Sequence, residues 1–472
     1  MGTVNTAVWM VYLAAAVCFV VGLHLMNSPA TARKGSPLSM AGMVAAILAT
    51  LAQMIDENTV TATGWGVLIG GAVIGGTLGI VMSRRVKMTA IPQLVSLFNA
   101  VGGGAAAVIA IAEFIRLADI SASAVTTRVV ISTVLDVIIG GVTFAGSLVA
   151  AGKLQGWITG QPVIFPGARV LSGVFALAAV GGSCDLLAGS GSIPVLIVVL
   201  GASLLFGVAM VLPIGGADMP VVIALLNAFT GIAVAMAGFV INNSGLIIAG
   251  ALVGASGGIL TKLMADAMNR SILNIIVGGF GTGDSGPAEA VGAGVDVRRV
   301  SAEDAAIQLA YASRVMVVPG YGLAAAQAQQ EVRELANVLE SRGIEVNFAI
   351  HPVAGRMPGH MNVLLAEVNI PYTSLKEMDE ANAEFPNTDV ALVVGANDVT
   401  NPAARRPNTP LSGMPILDVD QAKSIIVIKR SMGTGYAGID NELYIDPKTG
   451  MFFADAKKGL HDITAAVKTL VG

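Results

Sequence analysis

The clearest indication of the fold is the stretch VVPGYGLAAAQ at residues 317–327. An apolar run leads into it and predicts a buried strand, and a helical pattern of apolar residues follows. Between them stands Gly320-x-Gly322-x-x-Ala325, in which the first glycine allows a tight turn and the second lets backbone N–H groups approach a pyrophosphate, while the small third residue lets helix and strand pack closely. Although glycines are common in this chain, the flanking strand and helix favour a dinucleotide with its phosphates at the positive end of the helix.

The composition identifies a membrane protein, at least in part. Of the 472 residues, 54% are hydrophobic and only 12% are charged, whereas a soluble domain is usually about 25% charged. The only two cysteines, Cys18 and Cys184, are too few for a disulfide framework or a CxxC metal site. The chain begins with an apolar run that lacks a basic segment before it, so we predict a first spanning helix and not a signal peptide.

The first part of the chain contains about nine apolar segments that are long enough to cross a bilayer, which takes roughly 20 residues each. They fall near residues 6–26, 38–56, 62–82, 91–112, 129–151, 168–188, 192–213, 219–241 and 245–266. Only a Gly/Ser turn separates the sixth segment from the seventh, so the count is open by one.

Basic residues between the spans predict the orientation in the membrane. With nine spans and the C-terminal end in the cytoplasm, the N-terminus lies outside, and the outside loops carry only Arg116 and Arg128. The inside loops and the exit carry Arg33, Lys34, Arg84, Arg85, Lys87, Lys153, Arg169, Lys262 and Arg270. This bias predicts a multi-pass protein of the inner or plasma membrane with a cytoplasmic C-terminal domain.

Polar residues inside the spans are costly and are therefore functional candidates. Asp136 lies within a span, where a central carboxylate costs on the order of 2.5–3.5 kcal/mol on insertion scales, so it should be protonated, paired or facing water. Asn99 and Asn227 fit either interhelical hydrogen bonds or a proton path, and Ser256 is a further candidate. Asp218 lies at a helix entrance, where an N-cap role needs no further function.

The C-terminal part has the composition of an α/β domain. Residues 277–300 are rich in Gly, Asp, Ala and Ser and predict a flexible linker between a membrane domain, 1–276, and a soluble domain, 301–472. Further strands are predicted near 345–350, 390–394 and 425–428, with a terminal helix near 456–470. The predicted fold is therefore a multi-span α-helical membrane bundle followed by a Rossmann-like domain, whose doubly wound parallel sheet binds ligands at the carboxyl ends of its strands.

The residues that follow the strands indicate which dinucleotide is bound. The second strand ends in HPVAGR at 351–356, without the acid that an NAD-type unit places about 20 residues past the glycines. A later strand ends in KRS at 429–431, and two cations with a hydroxyl suit a phosphate dianion, unless they are only solvated surface. This favours NADP over NAD. His351 and His360 lack an acidic partner between them and are poor zinc ligands, so we expect no metal.

Taken together, these features resemble the β subunit of the proton-translocating NAD(P) transhydrogenase family. The matching motifs span the chain and are GGADMPVV at 215–222, AMNRS at 267–271, PGYG at 319–322, HPVAGRMPGHMN at 351–362, GAND at 395–398 and KRSM at 429–432. The resemblance implies that this chain carries the membrane domain and an NADP(H)-binding domain, while a separate α subunit binds NAD(H). It also implies a dimer of the αβ assembly in the lipid membrane, with no nucleic acid as a partner, and proton entry that drives hydride transfer from NADH to NADP⁺.

The resemblance also implies roles for individual residues. Asp398, with Asn397 beside it, matches an acid near the nicotinamide that couples proton state to nucleotide affinity, and residues 372–387 match a mobile loop that touches the membrane domain. The expected cofactor-binding residues are Gly320, Tyr321, Gly322, Ala324, Ala325, His351, Val353, Gly355, Arg356, Gly395, Ala396, Asn397, Asp398, Lys429, Arg430, Ser431, Gly435 and Tyr436. The expected proton-path residues are Asn99, Asp136, Asp218, Asn227, Ser256 and Arg270.

One position departs from the family pattern. Some members have a histidine in the proton channel where this chain has Asn99, which cannot titrate. Either water and asparagines form the path with the titrating group elsewhere, or the partner subunit supplies that group; Asp136 and His24 are local alternatives.

Two other functions compete with this interpretation. A transporter or channel gated by a cytosolic nucleotide-sensing domain would bind NAD(P) without hydride exchange, but the interrupted helix pair that is typical of transporters is absent from the sequence. A self-contained NADPH oxidoreductase would need a second cofactor site, and the sequence has no haem, flavin or Fe–S signature.

Overall fold

The computed structural model describes residues 3–471 with the exception of short gaps and one long one. The gaps are 27–28, 59, 121–124, 160–161, 164, 190, 216–217, 269–270, 273–296, 356–358, 408, 410 and 436. Three predicted site residues, Arg270, Arg356 and Tyr436, lie outside the described residues, as does most of the predicted linker 277–300. The chain forms two compact units, Met1–Ile214 with Val222–Thr261 and Gly215–Val221 with Lys262–Gly472.

The predicted spans are confirmed by nine helices, within the described ranges, that are long and apolar enough to cross a membrane. Their bounds are α1 Thr3–Met26, α2 Pro29–Asp56, α3 Ala62–Arg85, α4 Ile91–Ile120, α5 Thr127–Gln155, α6 Ala168–Leu187, α7 Ile193–Val211, α8 Met219–Val240 and α9 Ser244–Ala267. The Gly/Ser turn between the sixth and seventh segments does separate two helices, so the predicted count is correct.

Several helices continue beyond their apolar segments, because polar side chains support the extra turns. In α4, Arg116 donates to Glu113 at 2.6 and 2.7 Å one turn away, so Arg116 belongs to the helix and not to a loop. Helix α5 is capped at its start by Thr126, whose hydroxyl accepts from the N–H of Val129 at 3.4 Å, and at its end by Gly156 in the left-handed conformation.

Lys153 does not lie in a solvated inside loop as predicted. It is buried near the end of α5, where its ammonium donates to the carbonyl oxygens of Leu212 at 2.5 Å and Ile214 at 2.8 Å. These carbonyls lie at the C-terminal end of α7, which attracts a cation because its last carbonyls lack intrahelical donors. The positive charge therefore caps a neighbouring helix.

Small residues allow α8 and α9 to pack closely. A side chain at Gly250 would collide with the backbone of α8 at Ala235, and one at Gly257 would approach the backbone nitrogen of Ala228 to 2.8 Å. This close approach is what small residues permit between membrane helices. Most glycines of α3 differ, since no described atom lies within 4 Å of the positions that their side chains would occupy; these are Gly66, Gly70, Gly71, Gly75, Gly76 and Gly79.

The soluble unit is built on a six-stranded parallel sheet. Its strands are β1 Arg314–Pro319, β2 Glu345–Ile350, β3 Leu375–Glu377, β4 Val390–Val394, β5 Ser424–Lys429 and β6 Thr449–Phe453, in the order β3-β2-β1-β4-β5-β6. Its helices are α10 Ala302–Ala310, α11 Tyr321–Ala325, α12 Gln329–Glu340, α13 His360–Glu367, α14 Met378–Glu384 and α15 Ala456–Val471. This is the strand order of a dinucleotide-binding sheet, and it confirms the Rossmann-like fold.

Both edges of the sheet hold strands that the sequence did not predict. Strand β3 pairs with β2, and its segment, which was expected to be a loop at 372–387, also contains α14. Strand β6 pairs with β5. The end of the predicted linker continues this edge, since the N–H of Met451 donates to Arg298 and the N–H of Val300 donates to Met451.

The turn after β1 is held against the turn after β4. The N–H of Gly320 donates to Val394 and that of Gly322 to Gly395, both at 2.9 Å. Gly395 has a φ of +67°, and a side chain there would collide with the backbone of Gly322. Glycine is thus required at these positions because the two backbones are in contact. At Gly320 the backbone conformation is not the reason, since its φ of −128° is open to any residue.

The helix after the glycines is shorter than predicted. Helix α11 has five residues and stops before Gln327, whose φ of 52° ends it. The predicted apolar pattern instead belongs to α12, with Val332, Leu335 and Leu339 buried. Ala325 is exposed whereas Ala324 is 1% exposed, so the packing role that was predicted for Ala325 belongs to Ala324.

We predict that Gly395→Ala destabilises the soluble unit far more than Gly343→Ala. Both glycines have a left-handed φ, but the side-chain position at Gly343 meets no described atom within 4 Å. Gly343→Ala should therefore cost only the conformational term, about 1–2 kcal/mol, and Gly395→Ala about 4 kcal/mol or more. Urea unfolding followed by pulse proteolysis of the full chain would measure both. Equal losses would show that the two turns do not need their close contact.

Candidate functional site

The site lies where the carboxyl ends of the parallel strands meet. Strands β1, β2, β4 and β5 all run in the same direction, so the residues after them share one edge of the sheet. The strand order reverses between β1 and β4, which opens the crevice in which such sheets bind their ligands. The structure therefore brings the predicted residues 320–325, 351–355, 395–398 and 429–431 to a common edge.

The glycine turn is joined to the turn after β4 by hydrogen bonds. The N–H groups of Gly320 and Gly322 donate to carbonyl oxygens of that turn. These two amides are thus engaged within the protein, and a phosphate site at this turn stays a prediction. The glycines allow direct contact between the two backbones.

His351 is a structural residue with a fixed proton. Its side chain is 2% exposed, its Nδ1 atom accepts from the N–H of Val353 at 3.2 Å, and its Nε2 atom lies 2.8 Å from the carbonyl oxygen of Pro415. An acceptor at Nδ1 and a donor at Nε2 define a neutral ring with the proton on Nε2. Burial lowers the pKa of His351 from 6.5 to about 4.

The turn that follows His351 folds back on His360. Gly355 has a φ of +104°, and a side chain there would meet the ring of His360. The ring of Tyr321 lies edge-on to the same histidine with the centroids 6.4 Å apart. Tyr321 and Gly355, both predicted to contact the cofactor, thus lie next to the buried side chain of His360, which was not in the predicted set.

Asp398 anchors a second loop over the end of β4. Its carboxylate accepts from the N–H of Ala437 at 3.1 Å, and a side chain at Gly435 would collide with it. Only glycine at residue 435 leaves room for the carboxylate, so the predicted pair of Gly435 and Asp398 does come together. The loop that carries Lys429 and Gly435 is thereby fixed to the loop that carries Asn397.

Asn397 is held by side chains that were not among the predicted site residues. Its Oδ1 atom accepts from the hydroxyl of Tyr444 at 3.0 Å and from the amide of Asn441 at 3.2 Å. Its carbonyl oxygen accepts from Asn441 at 3.0 Å and from the hydroxyl of Thr400 at 2.9 Å. Because these partners lie up to 47 residues away in sequence, no local pattern could have indicated them.

The cationic end of β5 has the predicted character. The ammonium of Lys429 donates to the carbonyl oxygen of Gly433 and lies 4.6 Å from the centre of the Tyr444 ring. Burial lowers the pKa of Lys429, and the negative charges of Asp398 and Asp440 partly offset this. Arg430 and Ser431 are exposed beside it. Three donors at the end of one strand form an arrangement that can bind a phosphate dianion.

The described residues of the predicted proton path each make local contacts. The side-chain amide of Asn99 on α4 donates to the carbonyl oxygen of Ile223 at 3.3 Å. The backbone carbonyl oxygen of Asn99 accepts from the hydroxyl of Thr230 at 3.2 Å. Residues 223, 227 and 230 share one face of α8, so Asn227 lies on the face that meets Asn99. Ser256 donates to a carbonyl of its own helix at 3.0 Å. Asp218 precedes α8, and its carbonyl oxygen accepts from the N–H of Val221 at 3.1 Å.

Asp136 is fully buried in α5, and neither of its carboxyl oxygens has a hydrogen-bond partner among the described residues. The stripe of buried polar residues to which it belongs was missed in the sequence. The stripe consists of four residues at helical spacing, Thr133, Asp136, Thr143 and Ser147. All four are fully buried, with 0% of their surface exposed. Helix α4 packs against this stripe through Gly103, whose side-chain position would lie 2.9 Å from Thr143.

Comparisons with known proteins agree with this architecture. Residues 8–466 match the family model described as NAD(P) transhydrogenase beta subunit. A curated protein named NAD(P) transhydrogenase subunit beta, from Rhodospirillum rubrum, is 47% identical over 462 residues, which are 97% of this chain and 98% of that protein. The same values hold for the protein of that name from strain ATCC 11170. The matches do not favour the gated-transporter alternative.

Proposed function

Because the chain belongs to the NAD(P) transhydrogenase beta subunit family, we propose that it couples hydride transfer between NAD(H) and NADP(H) to proton translocation. As a beta subunit it has an alpha subunit as its partner, and with nine helices in the described ranges that are long and apolar enough to cross a membrane it is a multi-pass membrane protein. Coupling is supported best by two features of one chain: a cationic group of residues that suits a dinucleotide phosphate, and a helix bundle that buries a carboxyl group without a hydrogen-bond partner among the described residues.

The site fits NADP(H) better than NAD(H), so NADP(H) is assigned to this chain and NAD(H) to the alpha subunit. Lys429, Arg430 and Ser431 would hold the 2′-phosphate, and no acid stands at the end of β2 to hold a free ribose hydroxyl. When bound, the nicotinamide supplies or accepts the hydride. The chain's own task is to bind and orient that ring, with Asn397 and Asp398 beside it.

The remaining assignments follow from the same proposal. The membrane domain is 1–276, the linker 277–300 and the NADP(H) domain 301–472, with the last domain in the cytoplasm and the N-terminus outside. Two αβ assemblies form a dimer in the membrane. The excess of basic residues in the inside loops and the family membership support these assignments.

We expect Lys429→Met to remove recognition of the 2′-phosphate. Losing one charge-assisted hydrogen bond should weaken NADPH binding by about 10- to 100-fold and leave NADH binding unchanged. Lys423→Met is the matched control, because Lys423 precedes the same strand at its opposite end and pairs with Asp389 at 2.8 Å. Calorimetric titration of the full chain with its alpha subunit would measure both dinucleotides. Unchanged NADPH affinity in Lys429→Met would place the phosphate elsewhere.

Asp136 is the group that we assign to proton exchange within the membrane. Asn99 cannot titrate and is already engaged with α8, whereas the carboxyl group of Asp136 is buried without a described partner. A carboxyl group in that environment is costly to ionise, so it holds a proton until an adjacent polar group or water accepts it. The stripe of Thr133, Thr143 and Ser147 provides hydroxyls on the same helix face.

We predict that Asp136→Asn uncouples the enzyme. The variant should lose most proton uptake when the chain and its alpha subunit catalyse reduction of an NAD analogue by NADPH in sealed vesicles, while NADPH binding stays normal. Asp185→Asn is the control, because Asp185 lies exposed on α6. A pH-sensitive dye would follow the protons during hydride transfer. Full proton uptake in Asp136→Asn would exclude Asp136 from the path, and hydride exchange without protons in the unaltered protein would refute coupling itself.

The neutral state of His351 predicts a pH dependence of stability. The unfolded histidine has a pKa of 6.5 and the folded one about 4, so between these values the unfolded state binds more protons and stability rises with pH. The stabilisation is complete above the unfolded pKa and is lost as the pH falls toward 4, by on the order of 3 kcal/mol. Hydrogen exchange of β1 and β2 in the full chain, converted to opening free energies, would show this slope. His351→Gln should remove the slope and His461→Gln, at an exposed histidine, should retain it; a slope that persists in His351→Gln would assign it to another group.

A further inference from the structure

Tyr444 occupies an unusual position between the two ends of the candidate site. It lies in a short 3-10 helix, Glu442–Ile445, whose first turn is capped by the side chain of Asn441, which accepts from the N–H of Leu443 at 2.9 Å. The side chain is 2% exposed and belongs to the main core cluster of the soluble unit, together with Ala396 and Val427. The ring is therefore fixed in place by packing.

The hydroxyl and the ring of Tyr444 contact residues in two different parts of the site. Its hydroxyl donates toward the Oδ1 atom of Asn397 at 3.0 Å and the carbonyl oxygen of Ala396 at 3.2 Å, in the loop after β4. Its ring lies 4.6 Å from the ammonium of Lys429, at the end of β5. One buried side chain thus contacts the loop assigned to the nicotinamide and the cation assigned to the 2′-phosphate.

We propose that Tyr444 is a positioning residue of the NADP(H) site, whose ring holds the ammonium of Lys429 ready for the 2′-phosphate and whose hydroxyl holds the Asn397 loop. This inference rests on the proposed function, because it requires that Lys429 bind the phosphate. It adds a residue that makes no contact with the dinucleotide itself.

The physical basis is preorganisation of a flexible cation. A lysine carries its charge on a four-carbon stem with much rotamer freedom, and a ligand that must order this stem binds more weakly. The face of an aromatic ring attracts an ammonium, and more strongly when the contact is shielded from water. With the Gly433 carbonyl as its second contact, the ammonium is held before the ligand arrives.

The ring also acts on the charge of Lys429. Burial lowers the pKa of this lysine, and the charged groups that oppose the shift are Asp398 and Asp440. A cation–π contact favours the ammonium form as well, so a ring with a less negative face should lower the pKa of Lys429 further. Burial raises the pKa of the Tyr444 hydroxyl, which therefore stays protonated and a donor throughout the working range.

A series of substitutions at Tyr444 separates the ring from the hydroxyl and from the packing. Phe and the mono-, di- and trifluorinated phenylalanines are similar in volume, but each added fluorine withdraws charge from the ring face. We expect NADPH affinity of the full chain with its alpha subunit to fall stepwise along this series, by about five- to thirtyfold in total. The alkaline loss of NADPH affinity should move to lower pH in the same order, while NADH affinity stays constant.

The outcomes are distinguishable. If Lys429→Met lowers NADPH affinity but the fluorinated series is flat in affinity and in pH profile, the role of Tyr444 is refuted and the site stands. If Lys429→Met has no effect, the proposed phosphate site fails first. Tyr444→Phe tests the hydroxyl alone, and we expect faster hydrogen exchange in residues 396–401 with an unchanged alkaline limb; unchanged exchange there would remove the hydroxyl from the proposal.

Discussion

Contact between two backbones, at Gly322 and Gly395, is the constraint on which the soluble unit depends. A parallel sheet places the carboxyl ends of β1 and β4 side by side, and the turns that leave them must pass each other within a space that leaves no room for a Cβ atom. The two turns are joined by hydrogen bonds of 2.9 Å. This backbone contact therefore sets the positions of both Tyr321 in the first turn and Asn397 after the second. Backbone contacts thus define this part of the site, and the site side chains are attached to that backbone.

The side chains that complete the site depend on contacts between loops and not on the strands alone. Asp398 is fixed by the loop that follows β5, and Asn397 by Tyr444 and Asn441. Polar groups that are buried in this way are costly unless each finds a partner, so a network of this density tolerates few alternative arrangements. Specificity for one loop conformation follows from the number of donors and acceptors that have to be satisfied at once.

What the sequence could predict was set by the range over which each signal acts. The nine spans and the strands β1, β2, β4 and β5 have apolar runs that are visible in a window of a few residues, and both were predicted correctly. Strand β3, with the sequence LKE, and strand β6, which contains Gly450, have no such run and were missed. Asn441 and Tyr444 hold Asn397, which lies 44 and 47 residues away from them in sequence, so no local pattern marks them. Lys153 was misplaced because a lysine near a span end fits a solvated loop as well as a helix cap.

The end of the predicted linker is hydrogen-bonded to the sheet that carries the candidate site. Residues 298–300 pair with Met451 on β6, and β6 pairs with β5, which ends at Lys429. The chain that arrives from the membrane helices thus joins the sheet one strand away from the strand that carries the assigned phosphate ligand. Coupling between proton and nucleotide must be reciprocal, since each can shift the equilibrium of the other only by its own differential affinity. Because residues 298–300 are hydrogen-bonded to β6, this end of the predicted linker is part of the sheet, in contrast to the flexible tether that its composition indicated.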